Sequence, residues 1–140
     1  KIKDRDIFLV KINWENKLLV EQEPLDVRQL RAKAKEFIAN ANDDPKLPVL
    51  YSEDFGQPFG TIKYTKDHVI SVQNDADTQY QAYLEVQNEL VAAYNELREE
   101  CAQKYFHCSY EELDEEWQKK IQKIYPQKIS EAEPKNYGGK

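Results

Sequence analysis

The sequence predicts an α+β fold: a small mixed β-sheet with two main helices packed on one face plus an inserted third helix. Short runs of β-capable apolar residues recur along the chain, IFLVKI at 7–12, KLLV at 17–20 and VISV at 69–72. Two longer stretches between and after them repeat apolar residues at helical rather than alternating spacing. The resulting order is strand, strand, helix, strand, helix, a further helix, strand. Helices between strands of one sheet imply parallel pairing through crossovers, with the helices covering one face.

Each element has its own justification. The runs at 7–12 and 17–20 flank the turn-like Asn13, Trp14, Glu15 and Asn16, which reads as a hairpin. Strand alternation places Phe8, Val10 and Ile12 on one face, and Ile7 and Leu9 on the other. Pro24 closes the hairpin, and Asp26 is the expected N-cap of a helix reaching about Asn40. Val27, Leu30, Ala34, Phe37 and Ile38 share its inner face. The stretch NANDDPKLP at 40–48 stops that helix and forms a loop. Gly56, Pro58 and Gly60 interrupt the next stretch, leaving 49–51 and 61–64 as short strand candidates. A clearer strand at 69–72 is followed by Asn74, Asp75 and Asp77, a turn with a second N-cap.

The helix after that turn has the strongest pattern. Tyr80, Tyr83, Leu84, Gln87, Leu90, Val91, Tyr94, Leu97 and Cys101 make its apolar stripe, with Gln81, Glu85, Asn88, Glu89, Asn95, Glu96 and Glu99 on its wet side. A further helix is expected over 110–125, with Leu113, Trp117, Ile121 and Ile124 inward. Ser109 and Glu112 have the spacing of a capping box, and Pro126 stops the helix. Residues 128–132 are the last strand candidate, and the two glycines at 138 and 139 belong to a frayed tail. No linker or internal repeat divides the 140 residues, so one domain is expected.

Composition narrows the function. A net charge of -6, with 26 acidic and 20 basic residues interleaved, leaves no basic stripe for nucleic acid or an anionic membrane. No apolar run is long enough to span a bilayer, and no signal peptide is visible. The chain begins at Lys1 and contains no methionine, so it is expected to be part of a longer protein. No nucleophile, metal cluster or phosphate loop is in sight, which points to an interaction role rather than an enzyme, with no cofactor implied.

The opening IFLVKINWENKLLVEQEPLDVRQLRAKAKEFI, the middle HVISVQNDADTQYQAYLEVQNELVAAYNELREE and the closing KISEAEP resemble the periplasmic domains of the ExbD/TolR family. The wording VQNELVAAYNELR and IYPQKISEAEPKN is similar to ExbD-type biopolymer transport proteins of Bacteroidetes-like bacteria. Two stretches depart from the short family pattern, 40–66 and 105–125. The resemblance implies the periplasmic domain of a single-pass inner-membrane subunit whose transmembrane helix precedes this chain. It further implies a proton-driven motor with an ExbB-like protein, reached through that helix, and a TonB-like protein. A homodimer is also implied. The motor's proton-carrying aspartate belongs to the transmembrane helix, so no residue here inherits that role.

What remains for this domain is recognition by strand addition, in which main-chain hydrogen bonds hold an extended partner segment at an open sheet edge. The candidate edges are Lys17, Leu18, Leu19 and Val20, and Lys128, Ile129, Ser130, Glu131 and Ala132. The alternative function is a Tol- or motility-type module that anchors to peptidoglycan. Cys101 and Cys108 are the only cysteines; an oxidising periplasm admits a disulfide between them, and two separate thiols are the alternative. His107 beside Cys108 lacks a fourth ligand for a metal, and His68 reads as a surface residue. Tyr51, Phe55, Phe59 and Tyr64 are expected to pack down over the sheet, an exposed partner surface being the alternative. Glu111, Glu112, Asp114, Glu115 and Glu116 read as a solvated helix start.

Overall fold

A computed structural model of the chain describes residues 4–131. A 3-10 turn, Asp4–Asp6, leads into β1 (Ile7–Ile12), β2 (Leu18–Val20) and β3 (Glu23–Pro24). A second 3-10 turn, Val27–Gln29, opens α1 (Leu30–Ala39). Then come β4 (Tyr51–Asp54), β5 (Thr61–Tyr64), β6 (Val69–Asn74) and the long α2 (Tyr80–Phe106). A third 3-10 turn, Tyr110–Glu112, precedes α3 (Glu115–Ile124) and β7 (Ile129–Glu131). The main sheet has the order β3-β2-β1-β6-β7, and β4 and β5 form a separate antiparallel pair. β1 pairs β2 antiparallel but β6 parallel, and β6 pairs β7 parallel, so the sheet is mixed.

Alternation fixes which face is dry. Phe8, Val10 and Ile12 of β1 are buried, as are Ile70 and Val72 of β6 and Leu18 and Val20 of β2. They meet Leu30, Ala34, Phe37 and Ile38 of α1 and Val86, Leu90, Ala93, Tyr94 and Leu97 of α2 in one core. Both main helices therefore cover the same face, as the sequence predicts. Their outer rims are tied by Arg31 to Glu89 (3.0 Å) and Glu96 (2.5 Å), and by Lys35 to Glu96 (3.1 Å) and Glu100 (2.6 Å).

The ends of α1 follow local chemistry. The Asp26 carboxylate accepts the Arg28 N–H at 2.9 Å and so caps the opening turn. At the far end Asn40 is left-handed, with φ 42°, and its side chain closes the loop that follows. Its amide donates to the carbonyls of Asp44 (3.2 Å) and Pro48 (2.8 Å), and its oxygen accepts the Asp44 N–H at 2.8 Å. Asn40 is buried, so replacement by alanine strands those backbone groups. Asn40→Ala is expected to cost about 2–3 kcal/mol in urea unfolding. Asn40→Gly should recover only the part due to the left-handed backbone.

A length mismatch explains the rest of the molecule. α2 has 27 residues and is about 40 Å long, while six-residue strands such as β6 span about 20 Å. The C-terminal part of α2 overshoots the sheet and would expose Cys101, Ala102 and Phe106. The β4–β5 hairpin and α3 cover it instead. Phe55, Phe59, Tyr64, Cys101, Ala102, Ile121 and Ile124 form a second core, with Trp117 and Tyr105 at its margin. The two stretches that depart from the short family pattern thus complete each other. The aromatic loop packs down, yet onto α2 and α3 rather than onto the sheet.

Several sequence expectations are corrected in detail. The chain from 110 to 125 is a 3-10 turn and a separate helix, because Leu113 is extended (ψ 150°) and Asp114 restarts the helix. The Ser109–Glu112 capping box is present, on the 3-10 turn. The residues expected to cap α2 do not do so. The helix starts after Gln79, whose N–H donates to Asn16 Oδ1 at 2.7 Å, and the Asp75 carboxylate is buried without a hydrogen-bond partner. Tyr80 is 71% exposed, while Ala82 and Tyr83 of the same turn pack against the main core. Val86 and Ala93, rather than Leu84 and Val91, are fully inside.

Candidate partner-binding edge

The two candidate edges fare differently. β2 is an inner strand, not an edge. Its outer side is taken by β3, with Leu19 opposite Pro24 and Val20 opposite Glu23, and the Leu25 N–H donates to the Leu18 carbonyl at 3.1 Å. Lys17 lies in the turn before β2, exposed. The edge on this side is the two-residue β3, where Pro24 has no N–H to offer. The reason lies in Glu21 and Gln22, whose left-handed φ of 53° and 69° form a tight hairpin turn that folds the chain back on itself.

β7 is the other edge of the main sheet. Ile129 packs on the main core while Ser130 and Glu131 are exposed. Ala132 lies outside the described residues. The Ile70 N–H donates to the Lys128 carbonyl at 2.9 Å, and Ile129 lies opposite Ile70. In a parallel ladder this turns the main-chain groups of Lys128 and Ser130 inward to β6 and those of Ile129 and Glu131 outward. Among the described residues, those outward groups have no strand beyond them in the sheet order.

The strand is held firmly on its inner side. The Glu131 carboxylate accepts the Tyr83 hydroxyl at 2.6 Å and the Gln87 amide, both from α2. That carboxylate raises the pKa of the Tyr83 phenol above its ordinary value. At the other end a buried chain of hydrogen bonds runs from Lys128 to α1. The Lys128 N–H donates to the Tyr94 hydroxyl oxygen at 3.1 Å, and Tyr94 Oη lies 2.8 Å from His68 Nε2. His68 Nδ1 lies 3.1 Å from Thr65 Oγ1, which donates to the Ile38 carbonyl at 2.6 Å. Thr65 spends its proton on Ile38, so His68 Nδ1 must donate to Thr65 and Nε2 must accept from Tyr94. His68 is fully buried, which corrects its reading as a surface residue. Burial lowers its pKa to about 4, with the Lys128 charge pushing the same way; the Thr65 and Pro126 carbonyls and Asp67 oppose them.

Cys101 and Cys108 are both free thiols. Cys101 faces the second core, where burial pushes its pKa up to about 11; Cys108 follows the helix end, half-buried. Among the described residues, no group of three or more His, Cys, Asp or Glu side chains could hold a metal.

The family profile for biopolymer transport protein ExbD/TolR matches residues 1–98 of the 140. The chain belongs to the ExbD/TolR family. The family is transport-related and non-enzymatic, and its members are membrane-anchored proteins with periplasmic domains. No curated protein matches the chain. The ExbD/TolR match covers β1 to β6, α1 and most of α2, and stops short of α3 and β7. No helix among the described residues is long and apolar enough to cross a membrane.

The clamp on β7 was not visible from the sequence. Tyr83 and Gln87 are 48 and 44 positions from Glu131, and only the packing of α2 against the sheet end joins them. The sequence signal available was the pair of polar residues one helical turn apart within an otherwise apolar stripe.

Proposed function

We propose that this chain is the periplasmic domain of an ExbD-type subunit. With ExbB-type and TonB-type partners, that subunit would act in an inner-membrane, proton-driven motor that energises transport across the outer membrane. In this reading the domain is non-enzymatic and self-associates. It holds an extended segment of its partner by strand addition to β7. The observation that carries the reading is the outer side of β7: Ile129 and Glu131 turn their main-chain groups away from β6 at a sheet edge, while Tyr83, Gln87 and Tyr94 brace the strand from within. A braced edge offers preformed donors and acceptors at low ordering cost, and a short one lets go readily. This suits a motor that must grasp and release.

The test is an NMR titration with a peptide from the periplasmic stretch of the cognate TonB-like protein. Amide shifts along β7 are expected. Glu131→Pro removes one outward N–H and should abolish them, while Glu131→Gln, which keeps the backbone, should retain them. Unshifted β7 amides at millimolar peptide, with a peptidoglycan fragment binding instead, would sink the TonB reading in favour of wall anchoring.

A further inference from the structure

By spacing, Leu84 and Val91 belong to the apolar stripe of α2, yet both are half-buried and lie in neither core. Helical phase says where they point. At about 100° per residue, Tyr80, Leu84, Gln87 and Val91 fall within about 60° of one another. Their sector begins where that of Tyr83 and Tyr94 ends, and those two residues reach β7. On the opposite flank of the helix, Glu89 and Glu96 face α1. The stripe is therefore turned away from α1 and over the outer side of β7. α2 runs antiparallel to β7, since Tyr83 and Gln87 meet Glu131 while Tyr94 meets Lys128. Val91 thus comes level with Ile129, Leu84 comes level with Glu131, and Tyr80 lies past the end of the strand.

The charge left open at this place is negative. Ile129 and Glu131 alternate onto the face that the helices cover, where Ile129 packs on the main core and the Glu131 carboxylate meets Tyr83 and Gln87. Glu131 is exposed, and both of those partners are neutral. The nearest cations are committed elsewhere. Arg98 Nη2 donates to the Tyr125 carbonyl at 2.8 Å, and the Lys128 ammonium donates to the Lys66 carbonyl. A carboxylate keeps lone pairs after accepting two donors. A cation set beside it on an added strand would gain a cross-strand ion pair. An apolar side chain two positions away would gain burial against Val91. A second β7 would bring a second Glu131 instead, in a chain whose net charge is already -6.

We propose that the strip between β7 and the Leu84–Val91 face of α2 selects an extended partner segment in which a lysine or arginine has large apolar residues two positions away. The basic group pairs with Glu131 and lays its methylene stem on Leu84. One apolar neighbour covers Val91 and the other reaches Tyr80. The proposal rests on the strand-addition reading of β7 and adds the side chains that the partner must carry. Main-chain pairing gives affinity for many sequences, and a side-chain surface beside the edge gives choice among them.

The probe is the blocked heptapeptide Thr-Leu-Thr-Lys-Thr-Leu-Thr, whose side-chain pattern reads the same in both directions and so suits parallel or antiparallel addition. Titrated into the full isotope-labelled chain, it is expected to shift the Ile129 and Glu131 amides together with the Leu84 and Val91 methyls. Replacing its lysine by glutamate should weaken binding about tenfold, and by glutamine about threefold. In Glu131→Gln the lysine and glutamine peptides should bind alike. Leu84→Ala combined with Val91→Ala, at two half-buried helix positions, should weaken binding about tenfold. Equal affinity for the lysine and glutamate peptides, or unmoved Leu84 and Val91 methyls beside shifted β7 amides, would overturn the selection and leave strand addition standing. Unmoved β7 amides with this probe and with the partner peptide of the strand-addition test would overturn both. Methyl shifts on raising the protein concentration alone would give the face to a second copy. Contacts from Tyr137 to the same methyls in the free chain would give it to the residues after Glu131. Either result overturns the partner segment.

Discussion

Lowering the pH from 7 to 4 is expected to remove about 3 kcal/mol of stability through His68 alone. The folded protein lowers this imidazole's pKa from 6.5 to about 4, burial being the first cause. Between those values the unfolded chain binds a proton that the folded chain refuses, so acid favours unfolding. The contribution is fully present above about pH 6.5, is lost as pH falls from 6.5 towards 4, and changes little below that. The hydrogen bonds give the same sign. A proton on Nε2 would face the Tyr94 hydroxyl oxygen, which already accepts the Lys128 N–H, and the hydroxyl hydrogen would lose its acceptor.

Urea unfolding at several pH values checks this. His68→Gln can still donate to Thr65 and accept from Tyr94, and it does not titrate. Its stability should fall less steeply than that of the parent over the same window. Parallel curves for the two proteins would show that His68 is not the source of the acid sensitivity. Since the chain of bonds ends on the Lys128 N–H, the parent's Lys128 amide should also lose exchange protection first as the pH drops.

The second large effect is expected at Phe59. It is 5% exposed, with ring centroids 5.1 Å from Tyr105, 5.6 Å from Phe106 and 6.2 Å from Trp117. Removing the ring leaves a cavity at the centre of the second core, so Phe59→Ala should cost about 3–5 kcal/mol. The loss should be local. β4, β5 and α3 meet the main sheet mainly through α2, so their amides should lose hydrogen-exchange protection while β1, β6 and α1 keep theirs. Phe59→Leu should recover more than half of the loss. Equal loss of protection in both cores would mean that they unfold as one unit.

Much of this architecture is legible in the residues. Alternation in IFLVKI correctly placed Phe8, Val10 and Ile12 inside, and the spacing of Leu30, Ala34, Phe37 and Ile38 correctly placed the dry face of α1. Asp26 and the Ser109–Glu112 pair announced their turns, because capping is chemistry between near neighbours. The stripe of α2 was legible in its middle, at Leu90, Tyr94, Leu97 and Cys101, but not at its start. Tyr80 has the right spacing but meets the Tyr83 ring at the rim rather than the sheet, since helical periodicity says which way a residue faces and not whether a sheet lies there.

The candidate site was legible only in part. A final strand at 128–132 was visible, while the inner position of β2 was not, because two left-handed residues other than glycine at Glu21 and Gln22 created a third strand. His68 was misplaced for a related reason. A lone histidine before a strand is polar by composition, and its burial depends on Thr65, Tyr94 and Lys128 arriving from three other places in the chain.

The sequence by itself determined the α+β class, most of the strands and helices, the inward faces of β1 and α1 and the family, since these depend on periodicity and on contacts between near neighbours. Only the tertiary structure decided the strand order, the joining of 51–64 with 101–124 into a second core, and the place of β7 at the end of the described sheet order. Those depend on contacts between residues tens of positions apart. Such contacts are set by the length of α2 against the width of the sheet and by where a turn sends the chain, and no local pattern in the residues encodes either.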